Sequence, residues 1–245
     1  MPSAVLVRHN FALLAREPGP VLSRIGMPLV LITALRPLYS AALGAEGLPQ
    51  AVSGMLVLFS VLGLSIISGG VVTERAWHTL DRLRATPATP AHILVGKAIP
   101  YATVLLAQQA AVVGYGVLVL GLQVRRVDLW LLTSVSWAVT LLCAGAAVAT
   151  VVRSHAELAA VTDLGGLFVT VLGGAMVPLA LMPAWLRAIA PASPGYWALT
   201  GLRSAIAGDA AGAVRSVIVQ TAVAGVLAAA AAWRITRGWG RTRLL

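Results

Sequence analysis

Again and again along this chain, runs of about 20 apolar residues pass with few charges. That is the length a helix needs to cross a hydrocarbon core about 30 Å thick. Six such runs, at 25–43, 51–72, 98–120, 129–152, 158–178 and 213–233, predict an all-α membrane protein with six transmembrane helices. Composition points the same way. Of 245 residues, 59% are hydrophobic and 11% charged, against about 45–50% and about 25% in soluble domains.

The first twenty residues are no cleavable signal peptide, because Arg8, His9, Asn10, Arg16 and Glu17 interrupt any apolar core. Val5, Leu6, His9, Ala12, Leu13 and Arg16 recur at helical spacing, which predicts a helix lying in the interface over 1–20, stopped by Pro18-Gly19-Pro20. Lysine and arginine are held on the cytoplasmic side. With both termini inside, all but Arg36, Arg125, Arg126, Arg187, Arg203 and Arg215 of the 18 Lys and Arg face the cytoplasm, so the expected topology is N-in, C-in. The net charge of +10 sits mostly at span ends, which fits anionic lipid headgroups rather than nucleic acid.

A single cysteine, Cys143, excludes an internal disulfide and zinc-ligand spacing. His9, His78, His92 and His155 are scattered, and neither G-x-S-x-G nor H-E-x-x-H occurs, so neither a metal site nor catalytic residues are expected. Polar residues inside the spans invite two readings each. Asp163 either pairs with Arg153 near the surface, the preferred reading, or faces a path. Gln108, Gln109 and Gln220 either line a path or bond between helices. Arg36 lies near the outer end of its span and snorkels, as Pro37 and Tyr39 beside it indicate. The glycine pairs at 165–166 and 173–174 and the alanine run at 228–232 are expected to let backbones approach, within one subunit or across a dimer.

The charge is concentrated in "TERAWHTLDRLRATPATPAHILVGKAIPY", 73–101, which the topology puts in the cytoplasm. Read as a helix, Ala76, Leu80 and Leu83 form an apolar stripe and Arg75, His78 and Arg82 a basic one. Thr73 caps its start, Glu74 sits near the positive end of the dipole, and Pro87 stops it. A lipid-surface linker would look the same. On the outer side, Pro183, Pro191 and Pro194 cut 179–212 into pieces too short to span, which reads as a re-entrant hairpin or as an ordinary loop with an interfacial belt of Trp185, Tyr196 and Trp197.

Both segments resemble the ABC-2 family of transporter permeases. In the cytoplasmic loop the matching features are Glu74, Thr79-Leu80, Arg82, Arg84, Thr86-Pro87 and Gly96-Lys97, with His78 where many members have glycine. In "GGAMVPLALMPAWLRAIAPASPGYWALTGLRSAIAGD" they are Gly174, Pro178, Pro183, Trp185, Pro194, Tyr196 and Arg203.

The resemblance implies one transmembrane domain over 1–245, comprising the interfacial helix at 1–20, a cytoplasmic coupling loop at 73–97 and an outer re-entrant hairpin at 179–212. It implies the permease subunit of an ATP-driven exporter in the bacterial cytoplasmic membrane. Such a subunit pairs with a second permease, identical or different, and moves a hydrophobic drug-like or lipid-like substrate outward. ATP and magnesium belong to a separate nucleotide-binding subunit. The chain has no phosphate cradle of its own: Gly96-Lys97 is followed by Ala98, and position 91 is alanine, which fails G-x-x-x-x-G-K-[ST]. Glu74, Arg75, Leu80, Arg82, Leu83, Arg84, Pro87, Gly96 and Lys97 are the expected coupling residues. The competing reading is an ATP-independent secondary transporter or a membrane-binding protein. A secondary transporter should show an internal repeat and intramembrane acids, and Asp163 is the one acid read as lying inside a span.

Overall fold

The computed structural model describes residues 7–8, 11, 16, 19–64, 68–69 and 90–236. Among them every regular element is helical: α1 Gly19–Leu43, α2 Gly47–Leu62, α3 Pro90–Leu118, α4 Val127–Val151, α5 His155–Leu172, α6 Ala184–Ile189, α7 Pro194–Ala207 and α8 Ala210–Thr236, with single 3₁₀ turns at Gly44–Glu46, Leu179–Leu181 and Ala190–Ala192. Among the described residues, five stretches are long and apolar enough to cross a membrane: Leu22–Leu62, Ala98–Leu118, Val127–Val151, His155–Leu172 and Ala210–Arg234.

The first of these doubles back on itself. Gly44, at φ +58°, takes the left-handed conformation that side chains resist, and the chain turns there. A Cβ on Gly47 would lie 2.5 Å from the Tyr39 carbonyl oxygen, and one on Gly63 would lie 3.5 Å from the Arg24 guanidinium, so α1 and α2 pair antiparallel along their length. Helix α2 then becomes the centre of the bundle, touching α1, α3, α5 and α7. Its residues Gln50 through Val57 are all buried, as expected for a helix apolar on every face. Helices α4 and α8 form the most extensive pair, and α7 packs against both.

Caps explain where the elements start. Ser154 accepts from the Glu157 amide at 3.1 Å while Glu157 accepts from the Arg153 amide at 2.7 Å, a reciprocal arrangement that opens α5. Ser193 accepts from Gly195 N and Pro194 takes the first helical position of α7. Asp209 accepts from Gly212 N at 3.1 Å at the head of α8.

Several boundaries differ from the sequence expectation. The apolar run 158–178 is not helical throughout: α5 ends at Leu172, because Gly174 at φ +84° turns the chain. Helix α3 starts at Pro90 rather than at 98, since a proline is well tolerated in the first turn. Gly96 and Lys97 therefore fall inside that helix. The coupling helix over 73–87 lies outside the described residues, as does the interfacial helix over 1–20 except at positions 7, 8, 11 and 16, which are helical.

Candidate functional site

Between α5 and α8 the chain folds into a cap of short pieces. Helices α6 and α7 have 6 and 14 residues, or about 9 and about 21 Å at 1.5 Å per residue. Neither can cross a core about 30 Å thick. The prolines act as read from the sequence: Pro178 and Pro183 sit at the starts of the 3₁₀ turn and of α6 in extended geometry, and Pro194 opens α7. Trp185 is exposed, whereas Tyr196 and Trp197 are half-buried and meet edge to face at 5.2 Å.

Helix α7 is set deep among its neighbours. A Cβ on Gly201 would lie 2.5 Å from the Ser216 hydroxyl of α8 and 2.7 Å from the Thr133 methyl of α4, so only glycine fits between them. Ser216 donates to the Trp197 carbonyl, Arg215 lies 5.4 Å over the Trp197 ring, and the Trp197 indole donates to the Pro191 carbonyl at 2.8 Å. The last carbonyls of α7, at Ala205 and Ile206, accept from the amides of Arg126 and Arg125. Beside them Asp128 lies 2.7 Å from Arg126, and its hydrogen bonds hold that guanidinium above its ordinary value.

Arg203, named above from its charge and from resemblance, has a definite task. It donates to Glu46 Oε2 at 2.8 Å and to Gln50 Oε1 at 2.9 Å. The Gln50 amide, fully buried, passes the chain of bonds on by donating to the Gly174 carbonyl at 2.8 Å. Tyr39 donates to the Met176 carbonyl at 2.6 Å, and the Gly54 backbone sits against the Ala175 carbonyl. The α1–α2 hairpin thus grips both the strap 173–177 and the cap helix α7. Sequence reasoning missed Tyr39, Glu46, Gln50 and Gly54 here. Glu46 offered the one available signal, an acid in an otherwise uncharged turn between two apolar runs.

The intramembrane polar residues separate into three kinds. Asp163 is exposed on α5 and forms no ion pair with Arg153, which corrects the preferred expectation. The reason is distance along α5: Arg153 precedes the helix start at His155, and Asp163 stands about two turns further along, away from that end. Gln220 does bond between helices, donating to the Trp197 carbonyl at 3.5 Å, while its own backbone carbonyl accepts from Thr140 at 3.2 Å. Gln108 and Gln109 are fully buried and have no hydrogen-bond partner among the described residues. Gly173 and Gly166 do give close approach, to Gly195 and to Val61, but the alanines at 228–230 and 232 are exposed.

Of the expected coupling residues, Glu74, Arg75, Leu80, Arg82, Leu83, Arg84 and Pro87 lie outside the described residues, and only the helical backbone is described at Gly96 and Lys97.

A bundle of long apolar helices closed at one end by a pinned, proline-broken cap defines a multi-pass membrane protein. The chain belongs to the ABC-2 type transporter family, whose model matches residues 3–207. It is accordingly the permease component of an ABC transporter, a transmembrane part that partners an ABC ATPase subunit and is not itself the ATPase. No curated protein matches the chain. The match ends at the C-terminus of α7, and α8 beyond it supplies the partner face for α4.

Proposed function

We propose that this permease belongs to an ATP-driven exporter of the bacterial cytoplasmic membrane and moves a hydrophobic drug-like or lipid-like molecule outward, as in antibiotic efflux. The family membership carries the reading, and the missing phosphate cradle supports it, since ATP and magnesium then have to be bound by the partner. The antiparallel α1–α2 pair counts as two crossings, which with the other four stretches makes six, N-in and C-in, in a single domain over 1–245. The cap 179–212 is the re-entrant outer hairpin at the exit.

Asp163 supports a second permease. It stands exposed on α5 beside Leu164, Leu167 and Phe168, which are exposed as well. A carboxylate facing lipid is costly, so a second subunit or the water of a path between subunits covers it. Gln220, bonded inside the protomer, is left out of that path.

Coupling runs through 73–97. Leu80 and Leu83 bury in a cleft of the ATPase subunit, and Arg75, Arg82 and Arg84 pair with its acids. The test is co-expression with that subunit. Leu80→Asp and Arg82→Glu should both reach the membrane at normal levels yet lose co-purification of the subunit and substrate-stimulated ATPase activity. Full transport and full partner binding in both variants would sink this reading of the loop.

A further inference from the structure

Helix α8 leaves most of its surface exposed, and two arginines show how it sits in a membrane. Arg215 and Arg234 are both exposed, and Arg234 stands 19 residues after Arg215. At 1.5 Å per residue the two are about 28 Å apart, which matches a hydrocarbon core about 30 Å thick. Each guanidinium therefore falls at one headgroup level.

At the cap end the guanidinium is held in position. Its carbon lies 5.4 Å from the centroid of the Trp197 ring. Trp197 is itself fixed, because its indole donates to the Pro191 carbonyl at 2.8 Å and its own carbonyl accepts from Ser216. Arg215 has no hydrogen bond or ion pair among the described residues. A ring face attracts the cation but cannot satisfy five N–H donors, so the guanidinium still needs an oxygen acceptor. The acids of the cap end do not supply one. Glu46 pairs with Arg203, Asp128 pairs with Arg126, and Asp209 accepts from Ser204 at 3.2 Å and from the Gly212 amide at 3.1 Å.

From Arg215 an apolar track runs toward the middle of the span. Ile218, Ala222 and Gly225 follow it at i+3, i+7 and i+10, on one face of the helix, and all are exposed. A Cβ on Gly225 would meet nothing within 4 Å, so the track is open.

We propose that this face of α8 binds a phospholipid, its phosphodiester on the Arg215 guanidinium and one acyl chain along Ile218, Ala222 and Gly225. Charge and depth together select that ligand. A phosphodiester presents two oxygens to the fork of a guanidinium, it stands at the headgroup level that Arg215 reaches, and its chain runs where the small side chains leave room. A second copy of the chain is a poorer occupant, since its cap-end acids are engaged within their own protomer. Because Arg215 belongs to α8 and Trp197 to α7, the bound lipid holds the cap against the bundle.

The permease, purified with its ATPase subunit and stripped of lipid in detergent, tests the site by its melting temperature. Dioleoyl phosphatidylglycerol should raise it by about 5 °C, because a ligand of the folded state stabilises by mass action. Dioleoylglycerol has the same chains without phosphate, and inorganic phosphate has no chain; each should leave the temperature where it was. In Arg215→Gln the rise should fall about threefold or more. In Arg36→Gln, which removes an exposed arginine of α1, it should persist in full. Each variant is compared with itself before and after lipid, so a change in basal stability does not enter. An undiminished rise in Arg215→Gln, or an equal loss in Arg36→Gln, overturns the site. So does a rise with dioleoylglycerol or with inorganic phosphate as large as with the phospholipid, since chain or ion alone would then account for the binding.

Discussion

Arg203 concentrates the capped end of the molecule into one side chain, and its two bonds differ in worth. Glu46 is 61% exposed, so the ion pair acts through water and contributes about 0.2–1 kcal/mol. Gln50 is fully buried, and its oxygen has Arg203 as its donor. Removing that donor leaves a buried acceptor unsatisfied, a loss of about 1–3 kcal/mol. Arg203→Met should therefore lower thermal stability in detergent clearly more than Glu46→Gln does. Equal losses would show that the ion pair, not the buried amide, holds the cap. A second residue tests the same grip by size alone. Gly54→Val puts a side chain into the Ala175 carbonyl, and should destabilise by about 1–3 kcal/mol in the same measurement. A variant as stable as the wild type would mean that the strap 173–177 is not fixed against α2.

The cap shows which features of an element are legible in sequence. Proline acts locally, so the fragmentation of 179–212 could be read directly and is borne out in α6 and α7. The end of α5 could not be read from hydropathy, because Ala175, Met176 and Val177 continue the apolar run past the turn at Gly174. Nor could the latch, since Arg203 and Gln50 are 153 residues apart and no spacing rule joins them. Likewise, Gln108 and Gln109 could be seen as polar, but that they are buried without a hydrogen-bond partner among the described residues depends on how the other helices pack around α3. Whether the cap enters the membrane is a property of the element as a whole. Ala188 and Ile189 on α6 are exposed in the protomer, so only lipid or a second subunit can shield them. Single cysteines at these positions in a Cys143→Ala background should resist an impermeant thiol reagent added from outside. Free labelling of both means that the cap stands in water.

At the scale of the whole molecule, the N-in, C-in topology was argued from lysine and arginine, and six arginines counted against it. Three of those six engage another side chain among the described residues. Arg126 pairs with Asp128, Arg203 with Glu46, and Arg215 lies over the Trp197 ring. A cation engaged within the protein contributes less to the asymmetry that sets orientation, which acts through charges in short loops near span ends. Discounting these three strengthens the assignment of 119–126 and 179–212 to the outer side. The connection between α3 and α4 is the place to test it. A reporter in the α1–α2 turn would break the bonds of Glu46 and Gln50, whereas Gln123 is exposed and lies between the ends of the two helices. Alkaline phosphatase inserted after Gln123 should be active, because it folds only outside the cytoplasm, and the same enzyme fused after Leu245 should be inactive. The reverse pattern would put the cap, the latch and Asp128 in the cytoplasm. It would also turn the charged segment 73–97 away from any subunit that hydrolyses ATP, so this one pair of fusions bears on the direction of coupling as well as on topology.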